Sequence, residues 1–207
     1  MSAPRRAARA TPETADARLL EIAAEHVRRL GAARVTVVGV AQEAGMTHAN
    51  VYRYFPSKRD LLDAVVQAAL RPVETFLADV ANAPDPADDK LERLILALAR
   101  DYRDLAENDP PIFDLFVAAA EANRGVARRH RGRVRMFVGR VVDEGLATGT
   151  FNPRDREQAL TFLTDILFRF THPTAVRLDA ERPRDMLDER LATIIRIALR
   201  ALKAGYV

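Results

Sequence analysis

The stretch TVVGVAQEAGMTHANVYRYFPSKRDL, residues 36–61, decides how this chain is read. Thr36 precedes Val37, Val40, Ala41 and Ala44, an amino-terminal cap followed by the apolar spacing of a short helix, and Gly45 stops it. Thr47 can cap a second short helix, His48 to about Tyr54. That helix ends at Phe55-Pro56, because a residue before proline is pushed out of the α region. Two short helices about a glycine turn make a helix-turn-helix, whose second member can lie in the major groove of B-DNA while the first crosses the backbone. Ala41 and Ala44 are small enough to let the helices approach, Gly45 supplies the positive φ of the turn, and Val40 and Val51 are the expected apolar contacts between them.

A groove-facing helix also needs donors for phosphates and bases on its outer side. The second helix offers Thr47, His48, Asn50, Tyr52, Arg53 and Tyr54 within eight positions. Phe55 reads as core. Ser57-Lys58 then opens a further helix, placing backbone N–H groups and an ammonium where a phosphate would be held.

These residues, 36–47 and then 51–61, resemble without gaps the signature of the tetracycline-repressor (TetR) family, and the resemblance covers roughly residues 15–65. It implies that His48–Tyr54 is a recognition helix. By the same resemblance Thr47, His48, Ala49 and Asn50 lie nearest the bases, and Tyr52, Arg53, Tyr54, Lys58 and Thr36 hold phosphates. It also implies a ligand cavity somewhere in the remaining helices. Two positions depart from the family pattern. Gly39 stands where a polar helix former is usual and is expected to cost about 0.5–1 kcal/mol in an exposed helix interior. Ala49 stands where glycine is common.

Outward from this motif the pattern stays helical. Residues 1–13, with Arg5, Arg6 and Arg9, read as a flexible basic arm. A first helix runs from about Thr14 to Leu30, with Gly31 in the capping place. After Ser57 a long helix reaches about Asn82, and Pro72 is expected to bend it. Stripes then recur over roughly 88–107, 111–122, 124–148, 153–171 and 183–203, with Asn152-Pro153 taken as the cap and first residue of the fourth of these and His172-Pro173 placed in a loop. The expectation is an all-α chain of about nine helices. A helix-turn-helix DNA-binding domain occupies 14–60, and an effector-binding and dimerisation domain occupies 61–207.

Composition bounds the function classes. With 207 residues, 48% hydrophobic and 29% charged, the chain has material for a small module and a larger one. The net charge of +3 is unevenly placed: ten Arg or Lys against six Asp or Glu fall in residues 1–60, and the rest is close to neutral. The absence of cysteine removes disulfides, thiolate metal sites and a Cys nucleophile. His26, His48, His130 and His172 lack the i, i+3 or i+4 pairing that two metal ligands on one helix need. No phosphate-binding loop, dinucleotide fingerprint or nucleophile elbow occurs. The expectation is therefore no catalytic residue, no metal, no cofactor and no enzyme, in a soluble cytoplasmic chain without a membrane segment.

In the larger domain Tyr102, Phe113, Phe116, Met136, Phe137, Phe162 and Phe168 are candidates to line a ligand cavity, with core packing as the alternative for each. The run Arg128, Arg129, Arg131, Arg133 and Arg135 reads as a solvated helix face that needs no ligand. The last two helices, paired with their copies in a second subunit, would form a four-helix interface. The reading is a homodimeric repressor that binds a palindromic double-stranded DNA operator and is released by a small-molecule effector. A helical ligand-binding or interaction protein without DNA binding, and an unrecognised helical enzyme, are the alternatives.

Overall fold

The structure is a computed structural model and describes residues 15–207. The basic arm read over 1–13 lies outside the described residues. Among those described there are ten helices and no strand: α1 (Ala15–Leu30), α2 (Val37–Glu43), α3 (His48–Tyr54), α4 (Lys58–Asn82), α5 (Ala87–Asn108), α6 (Pro110–Glu121), α7 (Gly125–Ala147), α8 (Arg156–Thr171), α9 (Pro173–Leu178) and α10 (Arg184–Ala204). The chain divides into two compact units, one running to Val65 and the other spanning Val66–Val207. Pro72 sits inside α4 without ending it.

The smaller unit packs Leu19, Ala23 and Val27 of α1 with Val37, Val40 and Ala41 of α2, Val51 of α3, and Leu61, Leu62 and Val65 of α4. The 3.6-residue period puts each of these apolar sets on one side of its helix, and burying them together is what makes three short helices stable. In the larger unit the core is built mainly from the inward stripes of α5, α6, α7, α8 and α10, among them Leu91, Ile112, Val141, Leu163 and Ile195.

Two sequence-based expectations fail in the larger unit. Asn152-Pro153 does not start α8; the cap is Asp155, whose side chain accepts a hydrogen bond from the Gln158 N–H at 2.7 Å. Asn152 is engaged elsewhere, donating from its backbone to the Leu202 carbonyl at 2.8 Å and from Nδ2 to the Lys203 carbonyl at 3.1 Å. Those carbonyls end α10 and have no partner within the helix, so Asn152 satisfies groups the helix itself leaves open. His172-Pro173 is likewise not in an open loop. Pro173 is the first residue of α9, where its missing N–H costs nothing.

The α9–α10 connection is held from within the unit. The buried guanidinium of Arg103 donates to the carbonyls of Asp179 (2.7 Å), Ala180 (3.1 Å) and Arg182 (2.6 Å), and the Asp179 carboxylate pairs with Arg182 at 2.7 Å. At the α7–α8 turn, Phe151 is fully buried with its ring against Gly145, and its N–H donates to the Gly145 carbonyl at 3.0 Å.

Candidate functional site

In the smaller unit each short helix is capped by the threonine that precedes it. Thr36 Oγ1 accepts from the Gly39 N–H at 3.0 Å, and Thr47 Oγ1 accepts from the Asn50 N–H at 3.3 Å. Between the helices Gly45 takes φ +69°, a conformation a side chain would strain, and the Met46 N–H reaches back to the Ala41 carbonyl at 2.9 Å. From α1, buried His26 lies 2.7 Å through Nε2 from the Glu43 carboxylate at the end of α2. The hydrogen bond from His26, followed by its charge and that of Arg29, holds the Glu43 carboxyl below the usual carboxylate range despite some desolvation.

Gly39 is better accommodated than its sequence position suggests. A Cβ there would lie 3.0 Å from Thr36 Oγ1 and 3.5 Å from the His26 ring. The absent side chain thus makes room for the cap and for the histidine, and the position is not the exposed helix interior its sequence implied.

α3 turns only Val51 inward, with Phe55 at its end, and presents His48, Ala49, Asn50, Tyr52, Arg53 and Tyr54 to solvent. Tyr52 and Tyr54 are 45% and 49% exposed, too much for core aromatics, and the Tyr52 ring meets the His48 ring edge-on at 6.4 Å. Arg53 makes no ion pair among the described residues. Thr36 and Thr47 are exposed as well. Lys58 differs from the rest: half-buried, it donates from Nζ to the Ala33 carbonyl at 2.8 Å, tying the start of α4 to the α1–α2 turn. Ser57 Oγ accepts from the Asp60 N–H at 3.1 Å and donates to the Asp60 carboxylate at 2.7 Å, so α4 carries its own cap and acid.

The larger unit holds a half-open cavity of about 610 Å³ between α4, α5, α6, α7, α8 and the start of α9. Tyr102, Phe116, Phe137 and Phe168, all candidates from sequence, line it. Phe113, Met136 and Phe162 do not: Phe113 is buried against Phe116, 6.3 Å between rings, Met136 is 51% exposed, and Phe162 is half-buried off the wall. Sequence alone missed His130, Arg128, Arg131, Arg135, Thr164 and His172, all on the wall. Arg128, Arg131 and Arg135 recur at i, i+3 and i+7 beside Val134 and Val138, a register that was legible but is shared with any charged helix face.

A buried polar array borders this cavity. The Tyr102 hydroxyl lies 2.6 Å from His130 Nε2, and His130 Nδ1 lies 2.7 Å from the Glu74 carboxylate, which also receives Arg133 at 2.7 Å. Burial would raise the Glu74 carboxyl, but the hydrogen bonds and charges of His130 and Arg133 outweigh it and hold the group below the usual range. Burial pushes the Tyr102 phenol well above its ordinary value, so the hydroxyl keeps its proton.

Asp101, beside this array, is pushed up to about 6, by burial first and by Asp104 second, against the pull of His130. A carboxyl raised in the folded state adds stability below its unfolded range and loses it as pH rises through about 6. Asp101→Asn is therefore expected to raise stability at pH 7.5 by roughly 1 kcal/mol, allowing for solvent screening, with the gain fading toward pH 4. Thermal melts at the two pH values test this, and a gain that grows on acidification would refute it.

Two family models match the chain. One, described as bacterial regulatory proteins, tetR family, covers residues 19–65; the other, described as tetracyclin repressor-like, C-terminal domain, covers 87–195, just over half of the chain. The chain belongs to the tetR family of bacterial regulatory proteins. This tetR-family chain is 30% identical over 107 residues to the nucleoid occlusion factor SlmA of Vibrio vulnificus, a match covering 52% of the chain and 45% of SlmA. The chain thus spans about half the length of that curated relative. Among solved structures, a transcriptional regulator of the TetR/AcrR family from Thermobifida fusca superposes with a TM-score of 0.67 at 22% identity, over 89% of this chain and 96% of that one. RolR, solved in complex with resorcinol, superposes with a TM-score of 0.61 at 22% identity, over 91% and 87%. Both structural matches establish the tetR-family fold over both units.

Proposed function

We propose that the protein is a homodimeric, sequence-specific DNA-binding transcriptional repressor that leaves a palindromic operator when a small molecule occupies the cavity of its larger unit. The observation that carries this is the outward face of α3, where six consecutive-turn side chains able to meet bases or phosphates are exposed while Val51 alone anchors the helix. Among the described residues no packing or ion-pair role accounts for two half-exposed tyrosines, an asparagine and an arginine on seven residues. Contact with a nucleic acid groove does.

In this reading Thr47, His48, Ala49 and Asn50 approach base edges, Tyr52, Arg53, Tyr54 and Thr36 hold phosphates, and Lys58 divides its three donors between the Ala33 carbonyl and a phosphate. Dimerisation runs through α8 and α10, the latter with the 58%-exposed Ile197 on its outer face. Two recognition helices then meet successive major grooves about 34–36 Å apart. Among the described residues no group of His, Asp or Glu could hold a metal, and no helix is long and apolar enough to cross a membrane.

Release follows from differential binding of the effector to two conformations. Tyr102 and His130 face the cavity, and His130 holds Glu74 on α4, the helix whose amino-terminal part belongs to the DNA-binding unit. An effector that disturbs the array changes how α4 is held.

Operator affinity should fall steeply with ionic strength, by a log–log slope of about −0.9 per phosphate neutralised. Arg53→Ala should flatten that slope by about one. Lys58→Ala should do the same if its ammonium reaches a phosphate, and leave the slope unchanged if it serves only the Ala33 carbonyl. Titrations against operator DNA at several salt concentrations decide this, and a flat slope for the unaltered protein would defeat the DNA-binding assignment.

A further inference from the structure

The wall of the cavity holds three arginines and two histidines and no aspartate or glutamate, and the rest of it is almost entirely apolar. We propose that this cavity takes an amphipathic anion: an apolar molecule with one terminal anionic group, its body among Leu94, Phe116 and Leu163 and its charge at Arg128 and Arg131. The proposal rests on the reading of the cavity as the effector site and names the chemical class of that effector.

The two arginines are available for such a group. Arg128 donates to the Asn123 carbonyl at 2.5 Å and Arg131 to the Asn123 side-chain oxygen at 3.1 Å, and neither makes an ion pair among the described residues. Each guanidinium has five N–H donors in a planar fork, so most remain unspent, and a carboxylate or phosphate is the acceptor that fits them in pairs. Arg135 differs, being tied to Glu157 at 2.6 Å. Glu121, near the same edge, is taken up by Arg177 at 2.8 Å.

His172 completes that edge. Its Nδ1 is buried with no hydrogen-bond partner, and its ring stacks on Phe168 at 4.5 Å. Burial first, then the Arg131 charge, hold the imidazole below its ordinary value against the pull of Glu121, so the ring adds an uncharged, stacked wall beside the arginines. The buried Tyr102 and His130 are committed to one another, and His130 and Arg133 already pair with Glu74, so these groups leave no charge for a headgroup. The unspent donors are those of Arg128 and Arg131, which places the charged end of the ligand at these exposed arginines.

The test is calorimetric titration of the full chain with four ten-carbon probes differing only in headgroup: decanoate, decyl phosphate, decanol and decylamine. At least one anion should bind on the order of tenfold or more tighter than decanol, with decylamine weakest, as charge-assisted bonds to guanidinium require. Whichever anion is preferred identifies the headgroup as carboxylate or phosphate. Arg128→Gln with Arg131→Gln should erase the preference while leaving decanol binding intact, which also shows that the variant is folded. Decanol binding as tightly as either anion, preference for decylamine, no binding by any probe, or a double variant that keeps the preference would each overturn the proposal. An anion that binds with the expected preference yet leaves operator affinity unchanged would instead overturn the effector reading and leave the ligand class standing.

Discussion

Asn50→Ala is expected to cost about 1–3 kcal/mol of affinity at each operator half-site, and roughly twice that for a dimer engaging both, with the loss confined to one base position per half-site. The backbone N–H of Asn50 is held by Thr47 Oγ1 at 3.3 Å, which fixes the first turn of α3, while its side chain is exposed on the face that Val51 and Phe55 leave outward. An amide so placed can pair bidentately with an adenine edge, offering one donor and one acceptor that no other base matches. Binding measured against an operator and against each single-base variant of it distinguishes the roles. If Asn50→Ala weakens every sequence equally, the residue contacts phosphate and specificity lies with Thr47, His48 or Ala49.

Phe151→Ala is expected to destabilise the larger unit by about 3–5 kcal/mol, which for a protein of this size lowers the melting temperature on the order of 10 °C. The ring is fully buried although it stands outside any helix, and it is seated where Gly145 has no side chain: a Cβ there would lie 2.0 Å from the ring. Removing the ring leaves a cavity lined by groups that cannot collapse, because the same turn is tied to the end of α10 through Asn152 and through the Arg154 N–H, 2.6 Å from the Val207 carbonyl. Gly145→Ala should destabilise as well, by overpacking, through the same contact. Chemical denaturation of both variants checks the pair. A loss below about 1 kcal/mol for Phe151→Ala would mean that the turn refills the space and that the ring does not hold the α7–α8 turn in place.

Both predictions start from residues whose roles differ in how far sequence reveals them. Asn50 is legible because caps, a glycine turn and a proline stop delimit α3 within a few residues, and only Val51 and Phe55 fit the inward side. Phe151 is not legible. It reads as a loop aromatic until the backbone of α7 is seen to pass beneath it at Gly145. The same distinction separates Lys58, whose place at the start of α4 is a local fact, from its hydrogen bond to Ala33, which joins positions 25 residues apart. It also separates the arginine run on α7 from its division of labour, in which Arg133 neutralises Glu74, Arg135 pairs with Glu157, and Arg128 and Arg131 face the cavity.

The amino-acid sequence by itself determined the helical class, the position of nearly every helix and the composition of the α3 face. Each of these follows from capping, periodicity and turn chemistry acting over fewer than ten residues. Which aromatics line the cavity, which histidines are spent on carboxylates, that Asn152 serves α10 instead of capping α8, and where unneutralised charge is left were decided only when distant helices came together. Burial, hydrogen-bond satisfaction and charge pairing are properties of neighbours in space, and for the carboxylate-bound histidines and Asn152 those neighbours lie from 17 to 56 positions away along the chain.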